Sequence, residues 1–179
     1  PPFYLVPLLW IAFPGYYWML GAARSGGAAF LTGWTFGLGF FAPGLYWVSW
    51  ALTVDLSRFF WLMPVAIVGL PALLAVFPGL AALAFIWLRR RGWGGPLAFA
   101  ALWGLGEWLR GHVLTGFPWN LIGYAWVGWL PVLQGSAVIG IYGLGLLTVA
   151  AAVLPAALSS HGRKGLTAAG AGVACMGLI

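Results

Sequence analysis

The stretch FWLMPVAIVGLPALLAVFPGLAALAFIWL, Phe60 to Leu88, carries no charged residue and ends at Arg89-Arg90-Arg91. As an α-helix it would run roughly 43 Å at 1.5 Å per residue, more than the hydrocarbon core of about 30 Å. Lipid is therefore the solvent this segment is built for. The whole chain agrees: 63% of its 179 residues are hydrophobic, 6% are charged, and mean hydropathy is +1.00. A soluble domain carries roughly 25% charged residues, so this composition excludes a water-facing globule. The formal net charge of +6 does not indicate nucleic acid, because the basic residues sit in short clusters between apolar runs.

Working outward from that segment, four more apolar runs are long enough to span: about Phe3 to Gly21, Ala28 to Leu52, Pro96 to His112 and Trp129 to Leu158. Gly165 begins a sixth. The expected fold is all-α, a polytopic transmembrane helical bundle of about five full spans plus the start of a sixth. That last run, Gly165 to Ile179, covers roughly 22 Å, and the chain opens at Pro1-Pro2 without Met. Residues 1–179 are thus expected to be a transmembrane domain truncated at both ends.

Orientation follows from charge. Arg24, Arg89 to Arg91, Arg163 and Lys164 fall on one side with no acid, whereas Arg58 and Arg110 share the other with Asp55 and Glu107. Basic loops stay in the cytoplasm. The Arg89–Arg91 and Arg163–Lys164 loops are expected there, and the Phe117-Pro118-Trp119-Asn120 turn on the outer face.

Packing signals accompany the spans. Gly33-x3-Gly37, with Gly39 and Gly44, gives the second a small-residue face, and Gly135, Gly140, Gly143 and Gly145 do so for the fifth. Pro64, Pro71 and Pro78 recur every seven residues and should kink the third. Trp10, Trp18, Trp47, Trp50, Trp61, Trp87, Trp93, Trp126 and Trp129 lie near span ends, where an amphipathic ring suits the interface. Cys175 stands alone in an apolar run, so neither a disulfide nor a metal site is indicated.

One segment is out of character. Glu107 and Arg110, three residues apart and on one helical face, precede the Phe117–Asn120 turn. Glu107 lies roughly 16 Å from Pro96 along that helix, beyond the midplane, where an isolated charge costs at least about 2.5 kcal/mol. Pairing between the two, or access to water, is demanded. Pro118 lacks an N–H and keeps Phe117 extended, while Trp119 and Asn120 offer an aromatic plate and an amide. Non-helical backbone near a membrane survives only against protein or water. The segment reads as the lining of an outward-facing cleft.

These residues carry a resemblance. Glu107-Trp108-Leu109-Arg110-Gly111, then Thr115-Gly116-Phe117-Pro118-Trp119-Asn120, then Gly123-Tyr124, resembles the membrane domain of bacterial apolipoprotein N-acyltransferases. So do Gly37-Leu38-Gly39-Phe40-Phe41 with Leu45-Tyr46-Trp47-Val48, and Gly140-Ile141-Tyr142-Gly143-Leu144. The resemblance implies an enzyme that moves a fatty acyl chain from a phospholipid to the N-terminal amine of a diacylated lipoprotein in the bacterial inner membrane. It implies covalent catalysis by a Glu-Lys-Cys triad in a periplasmic nitrilase-like domain, which this sequence does not contain. Cys175 matches no such nucleophile. No catalytic residue, cofactor or metal is therefore expected in this chain, and alone it should be inactive.

The role left to it is substrate handling: a phospholipid acyl donor, a diacylated lipoprotein acceptor and membrane lipid, held by Glu107, Arg110, Trp119, Asn120, Tyr124, Tyr46 and Trp47. On this reading Arg110 meets lipid phosphate, to which a guanidinium is suited. A small membrane transporter or channel is the alternative, with Tyr46, Ser49, Thr53 and Gln134 as its further polar residues. A non-catalytic membrane scaffold subunit is a third.

Overall fold

The three prolines of the Phe60–Leu88 stretch interrupt it as their missing N–H groups require. In the computed structural model, which describes residues 6–90, 95–113 and 115–159, Pro64 is followed by a π-helical turn over Val65–Gly69. Pro71 opens the short helix Leu70–Leu74, and regular winding resumes after Ala75 at Val76–Arg90. Neighbouring helices also bond carbonyls along the interrupted stretch. Trp34 donates its indole N–H to the Ala72 carbonyl at 2.9 Å, and the Tyr16 hydroxyl donates to the Pro78 carbonyl at 3.4 Å.

Eight α-helices make up the described chain: α1 (Leu9–Ala22), α2 (Gly26–Leu45), α3 (Leu56–Phe59), α4 (Leu70–Leu74), α5 (Val76–Arg90), α6 (Pro96–His112), α7 (Leu130–Leu133) and α8 (Ser136–Ser159). Tighter 3-10 turns over Val6–Leu8, Tyr46–Asp55, Phe60–Leu62 and Ile122–Gly128 join them, and no strand occurs among the described residues. The all-α membrane architecture is as expected. Three helical stretches, Gly26–Leu62, Val65–Arg89 and Ser136–Ala156, are long and apolar enough to cross a membrane. The first and fourth expected spans appear as α1 and α6, of 14 and 17 residues, about 21 and 26 Å long. The expected sixth span, Cys175, Trp93, Arg91 and the Arg163–Lys164 loop lie outside the described residues.

Local chemistry sets several boundaries. Ser25 caps α2 by accepting from the Ala28 N–H at 3.1 Å, and Asp55 caps α3 by accepting from the Arg58 N–H at 3.2 Å. Pro96 starts α6 at a position where its missing N–H is harmless. The second span was expected to continue as α-helix to Leu52. Instead α2 stops at Leu45 and Tyr46–Asp55 winds as 3-10, with Ser49 and Thr53 hydroxyls donating to the Tyr46 and Trp50 carbonyls three residues back, at 2.6 and 2.7 Å. Gly140, at φ +71°, breaks the winding near the start of α8. It faces open space, so its part is conformational; the helix-contact role expected of it is not seen.

In lipid, helices gain nothing from burying oil against oil, so close packing must hold them together. The pairing of α2 with α5 does so through Gly33 and Gly37. A Cβ at Gly33 would meet the Pro78 carbonyl, Ala82 and the Tyr16 hydroxyl, and one at Gly37 would meet the Pro78 ring and Ala75. The expected small-residue face therefore fits onto the kinked, alanine-lined side of α5. Around it, Phe13, Tyr16, Phe85, Phe99 and Trp103 form a buried aromatic core, with Phe36 packed against it and partly buried. Tyr16 stacks on Phe36 with centroids 4.2 Å apart, and Phe13 meets Trp103 edge-on at 5.0 Å. Such pairs contribute about 0.5–1.5 kcal/mol each beyond simple contact.

One end of the bundle gathers the C-termini of α1 and α5. There Arg89 donates from Nη1 to the Gly21 carbonyl at 2.6 Å, satisfying an orphan group at the negative end of α1. The opposite end gathers the C-termini of α2 and α6 and the loop after α6.

Candidate functional site

The α6 C-terminus builds the site. His112 donates from Nδ1 to the Trp108 carbonyl at 2.7 Å and stacks on that indole at 4.4 Å. The Val113 N–H closes the last turn onto the Leu109 carbonyl at 2.7 Å. The chain then doubles back, with the Gly116 N–H bonded to the Val113 carbonyl and the Phe117 N–H to the Arg110 carbonyl at 2.8 Å. Gly116 takes φ +75°, and a Cβ there would strike the Gly111 carbonyl. Glycine is required at this position on both counts.

Glu107 and Arg110 were expected either to pair with each other or to reach water, and to line the mouth of a cleft. The structure gives each a different partner and puts both beneath the surface, 4% and 2% exposed. Arg110 Nη1 donates to the Phe117 carbonyl at 2.6 Å and to the Trp119 carbonyl at 2.5 Å, and its guanidinium lies 4.9 Å from the Phe41 ring centroid. Glu107 Oε1 accepts from the Ile122 N–H at 2.9 Å. The reason is local: the returning loop brings unpaired backbone groups over this face of α6, and ionised side chains bond such groups strongly. The carboxylate reaches the loop because α8 presents Gly145 there; a Cβ at that position would sit 3.3 Å from Glu107 Oε2.

Above this clamp lie the other expected residues. Trp47, just past α2, faces Trp119 with centroids 5.0 Å apart, and Phe117 lies 6.2 Å from Trp119. Trp47 and Trp119 remain 41% and 50% exposed. Asn120 takes a left-handed φ of 54°, tolerated by asparagine among few residues, and its amide occupies the space where a Cβ of Gly44 would be. Tyr46 packs edge-on against Trp50 at 6.1 Å. Tyr124 lies apart on the Ile122–Gly128 turn, exposed, and no ring contact joins it to Trp47 or Trp119. Six of the seven expected residues thus gather at one end of the bundle.

Three contributors went unread in the sequence: Phe41 under the guanidinium, Gly44 against Asn120, and Ile122, whose backbone satisfies Glu107. Trp126 and Thr148 form a second buried polar contact, with the indole donating to the Thr148 hydroxyl at 2.8 Å and that hydroxyl to the Leu144 carbonyl at 2.7 Å. Gly44 left a legible signal as part of a small-residue face and Phe41 as part of the family-like motif, though neither showed its contact here.

Apolar spans locked by glycine contacts, with a buried acid and base tying down a polar turn at one end, define a polytopic membrane domain with a built surface loop. The profile of the apolipoprotein N-acyltransferase N-terminal domain matches residues 1–154, and the chain belongs to that family. Among its relatives, the apolipoprotein N-acyltransferase of Rhodopseudomonas palustris is 46% identical over 174 residues, covering 91% of this chain and 31% of its own length. Those of Allorhizobium ampelinum and Bradyrhizobium diazoefficiens are 40% and 45% identical, covering 95% and 88% of this chain and 34% and 30% of their own lengths. The chain thus spans about a third of the curated relatives it matches.

Proposed function

We propose that this chain is the membrane portion of an apolipoprotein N-acyltransferase, an enzyme moving a fatty acyl chain from phospholipid to the N-terminal amine of a diacylated lipoprotein. Its own part is to hold lipid substrates and to anchor a nitrilase-like catalytic domain lying outside residues 1–179. The half-exposed Trp47–Trp119 pair carries this reading. Two rigid amphipathic rings, with Tyr46 at the same end of the bundle, suit acyl chains and their ester groups at the membrane interface. Arg110 and Glu107 serve the site from below by fixing the backbone of Phe117, Trp119 and Ile122; a direct bond from Arg110 to lipid phosphate is not part of the proposal. Asn120 offers the polar contact at the mouth.

The same reading orients the protein, with the Phe117–Asn120 turn in the periplasm and the Arg24 and Arg89–Arg91 ends in the cytoplasm. The Gly21–Arg89 contact, at the far end from the turn, supports the relative placement. A permeation pathway is less well supported, because Ser49 and Thr53 spend their hydroxyls on their own carbonyls.

In the whole enzyme reconstituted with phospholipid and a diacylated lipopeptide, Trp119→Ala together with Trp47→Ala should lower kcat/KM for transfer about tenfold, the equivalent of about 1.4 kcal/mol of lost contact. Trp119→Phe should retain most of it. Unchanged transfer at unchanged protein level would remove the proposed role of these rings. A cysteine at position 120 should react with a membrane-impermeant thiol reagent in intact spheroplasts; reaction only after lysis would invert the orientation.

A further inference from the structure

Glu107 and Arg110 each keep one polar atom unaccounted for. Glu107 Oε2, Arg110 Nη2 and the Trp103 Nε1–H are buried without a hydrogen-bond partner. The three residues lie at successive turns of one face of α6, each 4% exposed or less. All three line the same cavity of about 10 Å³, whose apolar walls include Phe41 of α2, Ala81 of α5 and Gly106 of α6. Three residues that each carry an unpartnered buried polar atom line one cavity in a bundle surrounded by lipid, and such atoms call for partners.

A shared partner's chemistry can be read from theirs. Arg110 Nη2 and Trp103 Nε1 only donate; an ionised Glu107 only accepts. A cation is repelled by the guanidinium and finds two donors in its way. An anion meets the carboxylate. An acyl chain satisfies none of the three. Water alone both donates and accepts, and the volume admits one molecule. We propose that a single structural water occupies this cavity, donating to Glu107 Oε2 and accepting from Arg110 Nη2 and Trp103 Nε1–H. It bridges the acid and base that do not touch directly, and seats the charged face of α6 between α2 and α5.

Gly106 provides a test whose sign separates the wet cavity from a dry one. A Cβ there has room, with the Phe77 carbonyl oxygen at 3.6 Å and Ala81 Cβ at 3.9 Å, and would take up part of the cavity. Alanine for glycine inside a helix normally stabilises, and filling a dry gap stabilises further. If the methyl expels a bridging water, Gly106→Ala should instead lower the unfolding temperature of the whole protein in lipid nanodiscs by several degrees. Cryo-microscopy of the parent, at a resolution that shows ordered waters, should place a peak within about 3.2 Å of Glu107 Oε2 and of at least one of the two N–H groups, and the peak should vanish in the variant. No peak in the parent, a peak that persists in Gly106→Ala, or a variant as stable as the parent would each overturn the proposal.

Discussion

Arg110 reaches the carbonyl of Phe117, seven residues on, at 2.6 Å from the last turn of its own helix. The same nitrogen holds the Trp119 carbonyl at 2.5 Å. One buried guanidinium therefore fixes both ends of the Phe117-Pro118-Trp119 corner, where Pro118 has no N–H to offer. The aromatic surface above depends on this clamp.

Removing the clamp should be expensive. Arg110→Met deletes two charge-assisted hydrogen bonds and leaves Glu107 as a buried charge without its compensating neighbour, a situation worth about 3–5 kcal/mol. Thermal unfolding in detergent should register the loss, and limited proteolysis should cut near residues 116–120, a site resistant in the parent. Arg110→Lys should recover little, since a single ammonium cannot reproduce the planar fork.

Glu107 can be separated into charge and acceptor. Glu107→Gln keeps an oxygen for the Ile122 N–H and loses the charge beside Arg110. Glu107→Ala loses the same charge and leaves that N–H unsatisfied as well, so its loss should exceed that of Glu107→Gln by about 1–3 kcal/mol. Chemical denaturation of the two variants side by side measures the difference; equal losses would show that the Ile122 bond contributes nothing.

Gly33 is expected to be intolerant of any side chain. A Cβ would press on the Pro78 carbonyl, Ala82 and the Tyr16 hydroxyl at once, two of them on a kinked helix with little freedom to retreat. Overpacking of this kind costs about 1–3 kcal/mol. Gly39 on the same helix meets nothing within 4 Å, so Gly39→Ala should leave the unfolding temperature unchanged or slightly raised. This pair of variants tests the α2–α5 contact without touching the loop.

Gly116→Ala combines a left-handed backbone, unfavourable by about 1–2 kcal/mol for an L-residue, with a clash on the Gly111 carbonyl. The loop should open, and Trp119, judged by its fluorescence maximum and quenching by an aqueous quencher, should become more exposed. Asn120→Gly, which accepts the same φ, should change fluorescence far less.

The sequence by itself determined the solvent, the helical class and some of the places where helices start and stop. Charge scarcity, run length and proline spacing act locally, and α6 runs from Pro96 to His112 as read. The breaks near Pro64 and Pro78 also fall where a missing N–H puts them. Family membership was legible too, in the residues around Glu107 and Trp119. Tertiary structure alone decided whom Glu107 and Arg110 bond. Helical spacing set them on one face and suggested each other as partners, but hydrogen bonds form with whichever group lies within about 3 Å. The loop's own carbonyls and the Ile122 N–H arrive there only once α2, α5 and α8 have packed. The fit of Asn120 against Gly44 has the same origin, because a vacancy between residues so far apart in the chain is a property of the packed bundle, and periodicity does not encode it.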